Sequence, residues 1–118
     1  MSKPVGPYTP VVRAGSFLLV SGQVGIVDGQ LVPGGLEGEL RQAIANLAGL
    51  LEAEGASLGD VVKTTVFLRH LASDYARMNE VYMELFGDHR PARSAIGVAE
   101  LPLGALVEVE AWAHLPAG

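Results

Sequence analysis

Two residues in the last third of the chain have the chemistry to handle a small organic anion: Arg93, in Pro91-Ala92-Arg93-Ser94, and Glu108, in Val107-Glu108-Val109-Glu110. A guanidinium grips a planar carboxylate through two parallel hydrogen bonds, which an ammonium cannot reproduce. A carboxylate beside such a ligand can orient or deprotonate a water molecule. Arg93 shares strand parity with Ala95 and Gly97, whose small side chains leave open space beside it. From pattern alone the plainer reading is structural, an Arg93 to Glu108 ion pair across adjacent strands. Tyr8 and Ser21 are weaker candidates. Tyr8 in a proline-rich lead-in can simply pack the N-terminal arm, and Ser21 at a strand end is usually a turn or cap residue unless other polar groups converge on it.

The elements that must position these residues follow from periodicity. The run from Pro91 to Ala113 reads as two strands joined by a Leu101-Pro102-Leu103-Gly104 turn, because Pro102 presets φ and Gly104 permits positive φ. In the second strand Val107, Val109, Ala111 and Ala113 form a core face, and Glu108, Glu110 and Trp112 the opposite one. Residues 4 to 10 carry three prolines and should be extended. Val11 to Arg13 and Ser16 to Ser21 read as a hairpin around Ala14-Gly15, and at Gly22-Gln23 a missing side chain lets another group approach the backbone. Asp28-Gly29 closes a second hairpin, between Val24 to Val27 and Gln30 to Val32.

Leu36, Leu40, Ala43, Ile44, Leu47, Leu50 and Leu51 recur at helical spacing, which predicts an amphipathic helix over 36–54, stopped by Gly55. Its acidic first turn, Glu37 and Glu39, suits the helix dipole. No residue of it carries chemistry. Val61 to Leu68 is a strand with Val62, Thr64, Val66 and Leu68 on one face and Lys63, Thr65 and Phe67 on the other. Ser73 caps a helix over 74–86, with Tyr75, Met78, Val81, Tyr82, Leu85 and Phe86 as its buried stripe. The fold class is α+β, a single domain over 1–118 in which two helices cover one face of a sheet. The other face mixes rings with charge, and such a face normally buries itself in a partner.

At 118 residues the chain supports one core, with 49% hydrophobic and 18% charged residues. The formal charge is −5, and no Lys/Arg cluster supplies the footprint that a phosphate backbone needs, so no nucleic acid partner is expected. Cysteine is absent, which removes disulfides, thiolate nucleophiles and thiolate metal sites. No apolar run approaches the ~20 residues of a membrane span, so no membrane association and a cytoplasmic location are expected. His70, His89 and His114 lack ligand spacing, so no metal is expected. Serine, histidine and acid form no triad that spacing identifies, and Pro33-Gly34-Gly35 lacks the lysine or glycine spacing of a phosphate cradle.

Six segments in order extend the picture: Gly6-Pro7-Tyr8, Ser21-Gly22-Gln23, the run from Gly59 to Phe67, Met78-Asn79-Glu80-Val81-Tyr82, Pro91-Ala92-Arg93-Ser94 and Val107-Glu108-Val109-Glu110-Ala111. Through them the chain resembles, from about Gly6 to Ala113, the RidA-like YjgF/YER057c/UK114 family of reactive-intermediate deaminases. The resemblance implies a chorismate-mutase-like domain with a mixed β-sheet, assembled as a homotrimer with sheets facing inward, helices outside and pockets at subunit boundaries. It implies hydrolysis of 2-imino acids or their enamine tautomers, of the 2-iminobutanoate/2-iminopropanoate type, to a 2-oxo acid and ammonia, clearing intermediates released by pyridoxal-phosphate dehydratases. By position, Arg93 would grip the substrate carboxylate, Glu108 would handle the water, and Tyr8 and Ser21 would line the pocket. No cofactor is implied.

The chain departs from the family pattern in having Ala95 where many relatives have cysteine, and Arg90 where they often have an aromatic residue. Two other functions fit the same sequence: a non-catalytic module sensing a small carboxylate metabolite in the same pocket, and an RNA-directed role of the kind reported for some relatives. The acidic balance argues against the second.

Overall fold

The computed structural model describes residues 6–115. Seven strands and two helices run in the order β1 (Val11–Ala14), β2 (Phe17–Gln23), β3 (Ile26–Val27), β4 (Gln30–Leu31), α1 (Gly35–Ala53), β5 (Val61–Leu68), α2 (Leu71–Phe86), β6 (Ala92–Gly97) and β7 (Val107–His114). Five strands form one mixed sheet in the order β1-β2-β7-β5-β6, and β3 and β4 form a separate small hairpin. Its turn is Asp28-Gly29, with both residues at positive φ, as a two-residue hairpin loop requires. The α+β reading, the helix positions and the two N-terminal hairpins stand as the sequence predicts. The expected helix over 74–86 begins earlier, at Leu71, with His70 rather than Ser73 at its cap, and the Ser73 hydroxyl bonds back to the His70 carbonyl.

The reading of Pro91 to Ala113 as a hairpin is corrected. β6 lies parallel to β5, and β7 pairs antiparallel with the other edge of β5, so β5 separates the two strands. The cause is α2: a helix packed on one face between two strands returns the chain parallel to the first. The segment after β6 then crosses the end of β5, where Val98 N–H donates to the Leu68 carbonyl and Arg69 N–H to that of Leu106. The expected turn is there, with Leu103 and Gly104 both at positive φ, but it joins strands that are not neighbours.

Both helices cover one face. Leu36, Leu40, Ile44, Leu47, Leu50 and Leu51 of α1 and Met78, Val81, Tyr82 and Phe86 of α2 meet Val66, Leu68, Val107, Val109 and Ala111 of the sheet. Burial of this apolar surface is the main stabilising term. Inside it, the Thr64 and Tyr82 hydroxyls are 2.7 Å apart and satisfy each other. Glu37 joins the helices by pairing with Arg41 of α1 and Arg77 of α2, and Arg41 also reaches Glu84 of α2.

Val62 is on the exposed side, whereas the alternation read from the sequence puts it on the core side; Val61 is buried instead, because the β5–β7 register is irregular between Val61 and Lys63. Helix α1 adds no group to either of the two clefts described below. It does fix the connections around one of them: buried Glu39 accepts from Leu106 N–H at 2.8 Å, and Asn46 donates to the carbonyls of Val24 and Ile26.

Candidate functional site

The predicted site residues fall into two clefts on opposite sides of the sheet. Parity decides the faces. Arg93 is paired with Thr64, and Thr64 with Ala111, all in the row that faces the helices. Glu108 is paired with Phe67 and Glu110 with Thr65, in rows that face away from them. Arg93 and Glu108 therefore cannot meet within one chain. Both the expected placement of the glutamate on a strand next to Arg93 and the alternative of an Arg93–Glu108 ion pair are corrected, since β5 lies between the strands and the sheet lies between the side chains.

The first cleft, about 300 Å³, is lined by Tyr8, Ser21, Gly22, Val24, Pro102, Glu108 and Glu110. A β-bulge builds it. Between Val20 and Gln23 the β2 strand spends three residue steps where β7 spends two, from Ala111 to Val109, so Ser21 and Gly22 stand out of register beside the two glutamates. A Cβ on Gly22 would come within 2.7 Å of Glu108 Cδ. Glycine is thus the residue that lets this carboxylate lie across the backbone, which gives a partner to the close approach read at Gly22-Gln23.

The Ser21 hydroxyl donates to the Thr9 carbonyl at 2.7 Å, and Ser21 N–H donates to the Pro10 carbonyl at 2.9 Å. These two bonds hold the N-terminal arm that carries Tyr8, whose ring stays 42% exposed at the cleft wall. Ser21 thus anchors the arm, where a turn or cap role is the ordinary expectation for a strand-end serine, and both it and Tyr8 line this cleft. Burial raises the Glu108 carboxyl above its ordinary range, and the neighbouring Glu110 charge adds to the effect. Neither glutamate makes an ion pair among the described residues. A half-buried carboxylate with no counter-ion can accept a proton from water and return it.

The second cleft, about 440 Å³, is lined by Leu71, Ala72, Tyr75, Arg93 and Ala95. The Arg93 guanidinium carbon is 5.0 Å from the Tyr82 ring centre and 5.8 Å from that of Tyr75. Its Nη2 donates to the Tyr75 hydroxyl at 3.3 Å, and Nη1 approaches Met78 Sδ at 3.6 Å. No carboxylate among the described residues pairs with it. Tyr75 and Glu110 were not among the predicted site residues. Helical spacing groups Tyr75 with the buried stripe of α2, and Glu110 shares its strand pattern with Glu108 without a separate signal.

The histidines have structural surroundings. The His89 ring nitrogen lies 2.6 Å from the Val61 carbonyl, His114 meets the Phe17 ring edge-on at 5.0 Å, and His70 occupies the N-cap position of α2 without a side-chain capping bond. Among the described residues no three His, Cys, Asp or Glu side chains are grouped so as to hold a metal ion, and no helix is long and apolar enough to cross a membrane.

The family model described as endoribonuclease L-PSP matches residues 1–115. A RutC family protein of Pyrococcus horikoshii is 46% identical over 114 residues, covering 95% of this chain and 90% of its own. The mouse 2-iminobutanoate/2-iminopropanoate deaminase is 45% identical over 111 residues, covering 92% of this chain and 82% of its own. The crystal structure of Escherichia coli TdcF with bound serine superposes with a TM-score of 0.89 at 36% identity, covering 96% of this chain and 91% of that one. With a family match over nearly its whole length and relatives above 40% identity, this chain belongs to the endoribonuclease L-PSP family, the RidA-like family.

Proposed function

We propose that the protein is a hydrolytic deaminase of 2-imino acids whose active site is completed between two copies of the chain. The observation that carries the reading is the division of the site: a guanidinium without a carboxylate in one cleft, and a carboxylate without a cation in another, on opposite faces of one sheet. An Arg93 cleft from one copy placed against the Glu108 cleft of the next would join them. Exposed Val12, Phe17, Ile96 and Trp112 on the face without helices favour such self-association. We assign the assembly as the inward-facing, chorismate-mutase-like homotrimer that the family resemblance implies.

In this reading Arg93 holds the substrate carboxylate in a bidentate grip, and a ligand without that group leaves the guanidinium poorly paired. Glu108 of the adjoining copy takes a proton from water as the water oxygen adds to C2, and delivers it to the nitrogen. The resulting carbinolamine breaks its C–N bond; its hydroxyl proton passes through Glu108 to the departing nitrogen, and a 2-oxo acid and ammonia are released. An imine carbon is already electrophilic, so holding the anion and placing the water are the main requirements. Tyr8 and Ser21 wall the Glu108 half, and no cofactor enters. The serine held by the Escherichia coli relative and the deaminase name of the mouse relative support a carboxylate ligand and an imine reaction. The family description names RNA cleavage, but a net charge of −5 and two unpaired carboxylates in the cleft weigh against an RNA substrate.

The test couples the protein to a pyridoxal-phosphate dehydratase that generates 2-iminopropanoate from serine or 2-iminobutanoate from threonine. Oxo-acid formation should accelerate with the protein and not with Arg93→Ala. Ligand-dependent thermal stabilisation without any acceleration would replace the enzyme with a metabolite-binding module.

A further inference from the structure

The stripe spacing of α2 predicts Tyr75 in the core, yet its side chain is 43% exposed and stands at the Arg93 cleft. There it accepts a hydrogen bond from Arg93 Nη2 and offers its ring beside the guanidinium plane, while Tyr82 and Met78 confine the guanidinium further. None of these partners is charged. A guanidinium carries five N–H donors, and these neutral contacts engage two of them, so the plane is oriented and most of the fork stays free.

Beyond Arg93, the wall of this cleft is Leu71, Ala72, the Tyr75 ring and Ala95. It holds no second charged side chain. Leu71 is seated firmly, because a Cβ on Gly97 of β6 would meet its side chain at 3.2 Å. A three-carbon acid gripped by Arg93 would leave most of that apolar wall without a substrate side chain against it. A branched or aromatic side chain would cover it, at about fourfold in affinity for each CH2 group buried.

We propose that Tyr75 is a positioning residue for Arg93 and that, with Leu71, Ala72 and Ala95, it receives the substrate side chain, so that this cleft selects 2-imino acids with branched or aromatic apolar side chains over the three-carbon imine. The proposal rests on the imine-deaminase reading above. It adds a specificity determinant that the Arg93 and Glu108 pair does not contain.

The test measures kcat and KM for 2-iminopropanoate and for the imines of leucine and phenylalanine, each generated in place by an amino-acid oxidase. The wild-type protein should favour the larger imines by about tenfold or more in kcat/KM. Ala72→Trp fills the wall from an exposed position on α2 and should lower that ratio about tenfold. Tyr75→Phe keeps the ring and removes the hydroxyl; it should raise KM about three- to tenfold for every imine while kcat changes less than about twofold. A wild-type ratio near one, a ratio unmoved by Ala72→Trp, or an unchanged KM in Tyr75→Phe would each overturn the proposal. Acceleration of no imine at all would instead overturn the deaminase reading beneath it.

Discussion

Arg93 and Glu108 leave the same sheet through opposite faces, with β5 between their strands. Each sits at the edge of a cleft without an oppositely charged partner among the described residues. A single copy thus keeps the guanidinium and the carboxylate in separate clefts. Under the proposed deaminase reading, this relationship makes self-association a requirement of the chemistry.

Gly22→Ala tests how Glu108 is held. The new Cβ would meet the far end of the Glu108 side chain, which can swing aside, so stability should change by less than about 1 kcal/mol. The displaced carboxylate should lower kcat by about tenfold to a hundredfold, as a misplacement near 1 Å does. Thermal melts and steady-state kinetics on one preparation would separate the two effects, and an unchanged kcat would show that the close approach has no catalytic consequence.

Ser21→Ala tests the arm. It removes the hydrogen bond to the Thr9 carbonyl and should cost about 0.5–1.5 kcal/mol. Because the same bond holds Tyr8 at the cleft wall, KM should rise several-fold as well. Amide hydrogen exchange over residues 6–12 should quicken in the variant; unaltered exchange would free Ser21 of the anchoring role.

Tyr82→Phe removes one member of a buried hydroxyl pair and leaves Thr64 without its partner, at a cost of about 1–3 kcal/mol. The double substitution Tyr82→Phe with Thr64→Val should recover part of that loss, since no polar atom is then stranded. A double variant no more stable than Tyr82→Phe would mean that the hydroxyls do not depend on one another.

Glu108 also sets a pH dependence of stability. Its carboxyl is raised from an ordinary value of 4.5, first by burial and then by Glu110. Above that value the folded chain binds more protons at this site than the unfolded chain does. The site's contribution to stability is therefore fully present below pH 4.5 and is lost as pH rises through the folded-state value. Glu108→Gln cannot ionise, so it should melt higher than the parent at neutral pH and converge with it in acid. The difference between the two melting curves isolates this group from Glu37, whose carboxyl is lowered by Arg77 and Arg41 and whose contribution runs the other way. A difference that is flat with pH would contradict the assignment.

How far the sequence could be read depended on the range of the interactions involved. The leucine spacing of α1, the Asp28-Gly29 turn and the alternation of β7 are local, and each element formed where its pattern puts it. Strand adjacency is not local. The Leu101 to Gly104 turn has hairpin chemistry, but α2 had already committed β6 to lie parallel to β5, and no feature within 91–113 records that. The same blindness puts Arg93 and Glu108 on neighbouring strands, whereas each lines a separate cleft. Gly22 was legible as a place of close approach, whereas the group that approaches it comes from a strand more than eighty residues later. Tyr75 was hidden for another reason: helical spacing identifies the side of α2 that faces the sheet, but not that Tyr75 stands exposed at a cleft beside the edge strand β6.

Subunit complementation is the most direct measurement of the shared site. Arg93→Ala and Glu108→Gln, each assembled alone, should lose about a hundredfold or more in deaminase activity. Unfolded together in equal amounts and reassembled, they should recover about one quarter of wild-type activity, because random assembly gives that share of boundaries both an intact Arg93 and an intact Glu108. A mixture that assembles fully yet stays as inactive as either variant would contradict an active site built from two copies of the chain.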